Sequence, residues 1–308
     1  MAGGGPSPAR AGPPENPAAA PDGRRCRRAG GTDFCRCRIR RNGLLKIALG
    51  LEYEGSGFAG WQTQPAGNTV QDVLERALAE IAGAPVRVAC AGRTDAGVHA
   101  AAQVAHFEAP AERPESAWVR GVNALLPDSV AVRWARPVPD DFHARFSALS
   151  RSYRYVLYNH AVRPALLHGR VGWFHLPLDV VAMQSGAALL AGERDFSAFR
   201  AAECQAKSPV KTLHEAQVRR QGDCIVFEFR ANAFLHHMVR NMVGALVYVG
   251  KGAHPPEWIA KLIAARDRSQ AAPTFSPAGL YLSGVGYEPR WQLPMNGRII
   301  APFDPLSL

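Results

Sequence analysis

Residues 86–107 read Val86-Arg-Val-Ala-Cys-Ala91, then Gly92-Arg-Thr-Asp-Ala-Gly-Val-His99, then Ala100-Ala-Ala-Gln-Val-Ala-His-Phe107. Val86–Ala91 and Gln103–Phe107 have the apolar character of strands. Gly92–His99 is therefore a loop standing on a sheet, where a rigid scaffold commonly carries reactive groups. An isolated Thr-Asp-Ala-Gly is ordinary turn chemistry. Here Asp95 lies two positions from Arg93, bracketed by Gly92 and Gly97, with His99 close behind. A turn does not require that density of polar groups.

Outward from this loop the chain repeats one order of elements. Leu44–Tyr53 alternates as a strand, and Thr69–Ile81 has helical spacing through Val70, Val73, Leu74, Ala77, Leu78 and Ile81. Glu115–Leu126 predicts a helix stopped by Pro127, and Val130–Ala135 a further strand. The same β-α-β-β-α-β order returns after Arg151. Strand Tyr153–Tyr158, helix Asp179–Leu190, strands Thr212–Arg219 and Cys224–Arg230, and helix Phe234–Val249 come first. An added helix, Pro256–Ala265, and a closing strand, Leu280–Tyr287, complete it. The expected class is α+β: two ferredoxin-like halves, each an antiparallel sheet with helices on one face, joined around a central cleft. The boundaries follow: 1–43 a disordered Arg/Gly/Pro-rich extension, 44–147 and 148–289 the two halves, 290–308 a tail.

Composition narrows the function classes. The 308 residues are 47% hydrophobic and 20% charged, the balance of a soluble globular protein. Net charge is +10, but nine arginines against three acidic residues fall within 1–41. The body is thus mildly basic, which permits nucleic-acid binding without establishing it. No apolar run reaches the roughly 18 residues needed to cross a bilayer, so no membrane partner is expected. The head lacks the apolar core of a secretory signal. Cysteines 26, 35, 37, 90, 204 and 224 show no Cys-x-x-Cys pair and no zinc-type histidine spacing. They read as reduced thiols in a cytoplasmic protein. Walker loop, dinucleotide fingerprint and nucleophile elbow are all missing.

Three segments converge on the expected cleft: the Asp95 loop, Arg151-Ser-Tyr-Arg-Tyr155, and Asn232-Ala-Phe-Leu-His-His-Met-Val-Arg-Asn241. On a strand, Tyr153, Tyr155 and Leu157 share a face. Core packing explains most such tyrosines, but Tyr153 stands beside arginines where a ring can stack on a nucleobase. His236 and His237 are adjacent, which on a helix puts them on different faces and argues against joint chelation of a metal. Core packing and a capping or phosphate contact are their expected roles. Arg240 is carried inward by an apolar helix and needs an anionic partner, because an unpaired buried charge is very costly. Asp95 is the candidate. The residues leave Asp95 three roles: covalent nucleophile, general base, or structural group.

These motifs together resemble the TruA-type tRNA pseudouridine synthases. The resemblance runs from about Lys46 to Pro289. It includes Gly60-Trp-Gln62 with Gln71, the Gly92–His99 loop, Phe142-His-Ala-Arg-Phe-Ser147, the segments at 151–155 and 232–241, and Gly279-Leu-Tyr281. It implies the pseudouridine synthase fold and isomerisation of uridine to pseudouridine at positions 38, 39 and 40 of the tRNA anticodon arm, without a cofactor or metal. It further implies that Asp95 is the essential carboxylate and that Tyr153 stacks on the target base. Arg240 pairs with Asp95, Arg93 holds the flipped nucleotide's place, and Leu280 lines the base pocket. A homodimer whose tRNA site draws on both subunits is also implied. Two other readings remain: a noncatalytic RNA-binding protein, and a metal-dependent hydrolase using Asp95 with His99 or His236.

Overall fold

The computed structural model describes residues 45–294. The extension expected over 1–43 and most of the tail lie outside the described residues. The strands are β1 (Leu45–Tyr53), β2 (Ala89–Cys90), β3 (His99–Ala109), β4 (Val130–Pro137), β5 (Ala148–Asn159), β6 (Gly172–Phe174), β7 (Gly192–Asp195), β8 (Val210–Gln221), β9 (Cys224–Ala231) and β10 (Leu280–Tyr287). The α-helices are α1 (Val70–Ala82), α2 (Val180–Ala188), α3 (Met238–Gly250) and α4 (Trp258–Ala265).

One sheet runs through both repeats in the order β4-β1-β3-β10-β5-β9-β8-β7, with β2 on β3 and β6 on β5. Taken by repeat, β4-β1-β3 with β2, and β10-β5-β9-β8, both follow the order fourth, first, third, second. This is the sheet of a ferredoxin-like unit occurring twice. The four main strands of each repeat pair antiparallel, the short β6 runs parallel to β5, and the repeats meet through a parallel pair, Tyr281↔His99 and Leu282↔Ala100.

The strand expected over Val86–Ala91 forms only at Ala89–Cys90. The Val88 amide donates to Glu75 Oε1 on α1 at 3.0 Å. β2 pairs with β3 at Ala105 and His106, and β10 pairs with β3 nearer its start, at His99 and Ala100.

The strand alternation sorts residues onto two faces. Ile47, Leu49, Leu51 and Tyr53 face the main core with α1, α3 and α4, while Ala48 joins Trp134, Phe142 and Trp291 in a smaller cluster. Thr69 caps α1 by accepting the Asp72 amide, and Gly83 closes it in the left-handed region. Such a cap stabilises a helix by about 1 kcal/mol. The helix expected over Glu115–Leu126 is shorter, helical over 115–123, with a π turn at Ala117–Gly121 that seats Trp118 on Phe107.

Candidate active site

Asp95 is presented by a loop held on both sides. Gly60 has φ +97°, and a Cβ there would stand 2.8 Å from the Thr94 carbonyl, so only glycine lets the two backbones approach. The next residue, Trp61, donates its amide to that carbonyl at 3.0 Å. Thr94 Oγ1 lies 2.8 Å from the buried Tyr53 hydroxyl, and Gln103 Nε2 donates to Gly92 O at 2.7 Å. Gly97, at φ +75°, completes the turn and donates its amide to Phe58 O at 3.3 Å.

The second wall is the start of α3. The helix expected from Phe234 begins at Met238. The segment before it is irregular: Asn232 Oδ1 accepts the amides of Thr212 and Ala233, and the His236 amide reaches Cys204 Sγ at 3.4 Å. His237 then takes the left-handed conformation at φ +61°. The expectation that the two histidines diverge is therefore corrected, because neither lies within the helix. Their rings are 4.0 Å apart. His236 Nε2 lies 3.3 Å from Asp95 Oδ1, and His237 Nε2 lies 3.4 Å from Asp95 Oδ2.

Arg240, in the first turn of α3, donates from Nη1 to Asp95 Oδ2 at 3.1 Å and from Nε to Phe275 O at 2.8 Å. The side chains of Asp95 and Arg240 are 21% and 14% exposed, so the pair is sheltered while the carboxylate keeps an open side. It also sits at the positive end of α3, which favours an anion. Beneath Arg240, the buried Asn241 accepts from Thr274 Oγ1 at 2.7 Å and from Arg268 Nη2 at 3.1 Å. That network fixes the strap carrying the Phe275 carbonyl.

Tyr153 is buried on β5, packed edge-on to Phe234 with ring centroids 5.0 Å apart. Burial raises its hydroxyl's pKa, and the Asp95 charge adds to the rise. The phenol is thus neutral at physiological pH. Its cross-strand partner on β10 is Leu282, while Leu280 lies opposite Tyr155 and is 4% exposed in the main core. Arg93 is exposed and has no ion pair among the described residues.

His99 does not join Asp95. Its Nδ1 accepts the Gly55 amide at 3.0 Å, its Nε2 faces Ala278 O at 3.0 Å, and its ring stacks on Tyr281 at 4.6 Å. Glu54 Oε1 approaches Nδ1 at 3.3 Å, but an acceptor nitrogen on an imidazole kept neutral by burial makes no ion pair. His99 ties the first repeat to the second.

Sequence reasoning underrated two features. The His236–His237 dipeptide was visible, but the left-handed turn that brings both rings to Asp95 was not. Arg151 was visible beside Tyr153, yet its partners are four backbone carbonyls. It donates to Ala91 O, Asn232 O and Ala148 O at 3.0 Å each, and to Arg145 O at 2.6 Å. One guanidinium thereby joins the roots of the Asp95 loop, the histidine segment and the 142–147 loop.

Asp95, His236 and His237 form the one cluster among the described residues whose ligand atoms lie close enough to hold a metal ion. Arg240 already supplies a positive partner to Asp95 at Oδ2. The arrangement suits a sheltered anionic nucleophile or base beside an aromatic ring.

Comparison with known proteins gives a consistent picture. A family model described as tRNA pseudouridine synthase matches residues 51–147 and 187–288. The tRNA pseudouridine synthase A of Dechloromonas aromatica is 64% identical over 250 residues, covering 81% of this chain and 95% of that protein. The protein of the same name from Aromatoleum aromaticum is 64% identical over 256 residues, covering 83% and 97%. That from Paraburkholderia xenovorans is 59% identical over 251 residues, covering 82% and 93%.

Proposed function

The chain belongs to the tRNA pseudouridine synthase family, and from that premise we propose that it converts uridine to pseudouridine at positions 38, 39 and 40 of the tRNA anticodon stem-loop, with Asp95 as the essential carboxylate. It is a tRNA-modifying isomerase. The observation that carries the site assignment is the Asp95–Arg240 pair at 3.1 Å, beside Tyr153 and open on one side.

The chemistry asks for little else. The N1–C1′ bond breaks, C5 bonds to C1′, C5 gives up its proton and N1 gains one, so atoms and charge balance without a redox step. A carboxylate serves by attacking C1′, adding to C6 or taking the C2′ proton. Each route needs Asp95 ionised, and Arg240 supplies the counter-charge. The uridine must leave its stack, at a cost of a few kcal/mol. Tyr153 offsets part of this by stacking on the base, with Leu280 in the apolar lining, and the exposed Arg93 fills the vacated position. His236 faces the other carboxylate oxygen, Oδ1, while His237 approaches Oδ2 beside Arg240.

The enzyme works in the cytoplasm as a homodimer, with a tRNA site drawn from both subunits. Val162, Leu166 and Val181 are large apolar side chains left 66%, 96% and 77% exposed. No helix among the described residues is long and apolar enough to cross a membrane. The direct test maps pseudouridines in tRNA from cells with and without the protein. Loss confined to positions 38–40 is expected, and an unchanged map at those positions overturns the assignment.

A further inference from the structure

The motif Phe142–Ser147 supplies no group to the reaction derived above, yet it contains an aromatic side chain held out toward solvent. Phe146 is 76% exposed, while Phe142, four residues earlier, is fully buried against Tyr287 and Trp291. The exposure is not that of a loose loop. His143 Nδ1 accepts the amides of Arg145 and Phe146 at 3.1 and 3.4 Å, and Ser147 exchanges two hydrogen bonds with the His143 backbone. The His143 ring lies 4.3 Å from the Phe146 ring, tilted 34°, and the Arg145 guanidinium is 5.7 Å from its centroid. Phe146 is thus held by backbone and imidazole, with the rest of its surface open.

Its place in the fold relates it to the site. Arg151 Nη2 grips both Arg145 O and Ala91 O, so this loop and the root of the Asp95 loop are set by one side chain. Beside it, the β10–β5 register skips Leu149, which is 55% exposed. Strand irregularities of this kind commonly re-aim side chains next to active sites. Arg145 and Arg93 are exposed cations on the two linked loops.

The geometry points to Phe146 as a stacking platform for a nucleobase of the RNA substrate, outside the Asp95 pocket and next to the flipped uridine. Every base presents a π face, an ordered aromatic ring receives it without needing a particular sequence, and neighbouring arginines attract the backbone. Tolerance of sequence is what an enzyme serving several adjacent positions in many tRNAs requires. The inference rests on the functional reading above and extends it from the reacting base to a neighbour.

The test uses the full-length chain carrying Asp95→Asn, so that RNA binds without turnover. The probe is a synthetic anticodon stem-loop RNA with 2-aminopurine placed in turn at each nucleotide flanking the uridine. Quenching at one flanking position is expected on binding. Adding Phe146→Leu, which keeps the side chain apolar, should remove that quenching and weaken binding from about 5-fold to about 150-fold, the range for one stacked base. Phe146→Trp should restore both. Unchanged affinity and quenching in the Phe146→Leu protein overturn the inference. So does a dimer that becomes a monomer on that substitution, since a second copy of the chain would then cover the ring. Pseudouridine formation by the otherwise unaltered chain, with and without Phe146→Leu, separates the two levels. RNA binding through Phe146 with no pseudouridine made defeats the functional reading alone. Turnover indifferent to Phe146 defeats this inference alone.

Discussion

His237 Nε2 stands 3.4 Å from Asp95 Oδ2 because His237 itself adopts φ +61° at the threshold of α3. A non-glycine residue in that conformation costs roughly 1–2 kcal/mol. Such strain persists where the surroundings over-determine it, commonly at functional sites. Here the left-handed turn delivers two imidazoles and a guanidinium to one carboxylate.

Replacing His237 should separate stability from activity. Glycine relieves the backbone strain, whereas alanine keeps it, and both remove the imidazole. His237→Gly is expected to be more stable than His237→Ala by about 1 kcal/mol in urea unfolding. Both should show comparably reduced turnover. Equal stabilities would show that the residue is unstrained in solution.

Asp95→Ala should bind tRNA and form no pseudouridine. Filter binding and a modification assay on the same preparation measure the two properties. Any sustained turnover by this variant removes Asp95 from its assigned role.

Arg240→Met leaves a sheltered carboxylate without its counter-charge and the Phe275 carbonyl without its donor. A stability loss of about 1–3 kcal/mol is expected, with a larger proportional fall in kcat than in tRNA affinity. Arg240→Lys keeps the charge but cannot make both contacts, so it should recover only part of the rate. A variant with normal kcat would show that the pair is dispensable.

Stability should fall in acid through His106. Burial first, then the charges of His143 and Lys46, lower its pKa to about 4, and its Nδ1 accepts the Ala144 amide. The unfolded chain binds this proton near pH 6.5 and the folded chain only near pH 4, so acidification favours unfolding across that window. The contribution is complete above pH 6.5 and up to about 3 kcal/mol is lost by pH 4. His106→Gln should flatten the urea-midpoint profile over this interval, and a profile parallel to the parent's would contradict the assignment.

Excess chelator should leave turnover unchanged, since Arg240 already supplies the counter-charge of the carboxylate. Activity lost to chelator and restored by zinc would favour the hydrolase-like alternative and make Asp95, His236 and His237 metal ligands.

Much of the fold was legible because its signals are local. Alternation in Leu44–Tyr53 and the 3.6-residue spacing of Thr69–Ile81 report which face meets the core, wherever that core lies. The repeated β-α-β-β-α-β order then limited the topology. The charge argument at Arg240 was also local: a guanidinium on an apolar helix face requires an anion. The expected Val86–Ala91 strand is paired with β3 only at Ala89–Cys90, and no pattern within the segment reports where its partner strand ends.

Sequence alone determined the class of elements, their order, and the chemical identity of the groups near Asp95. Only the tertiary structure decided how those groups meet. The parallel His99–Tyr281 junction, the histidines gathered by a left-handed turn, and the carbonyls gripped by Arg151 all join residues distant in the chain or conformations not dictated by local propensity. Periodicity records burial, which each segment carries in its own side chains. Hydrogen-bond partners and φ at a single residue are settled by competition across the whole fold.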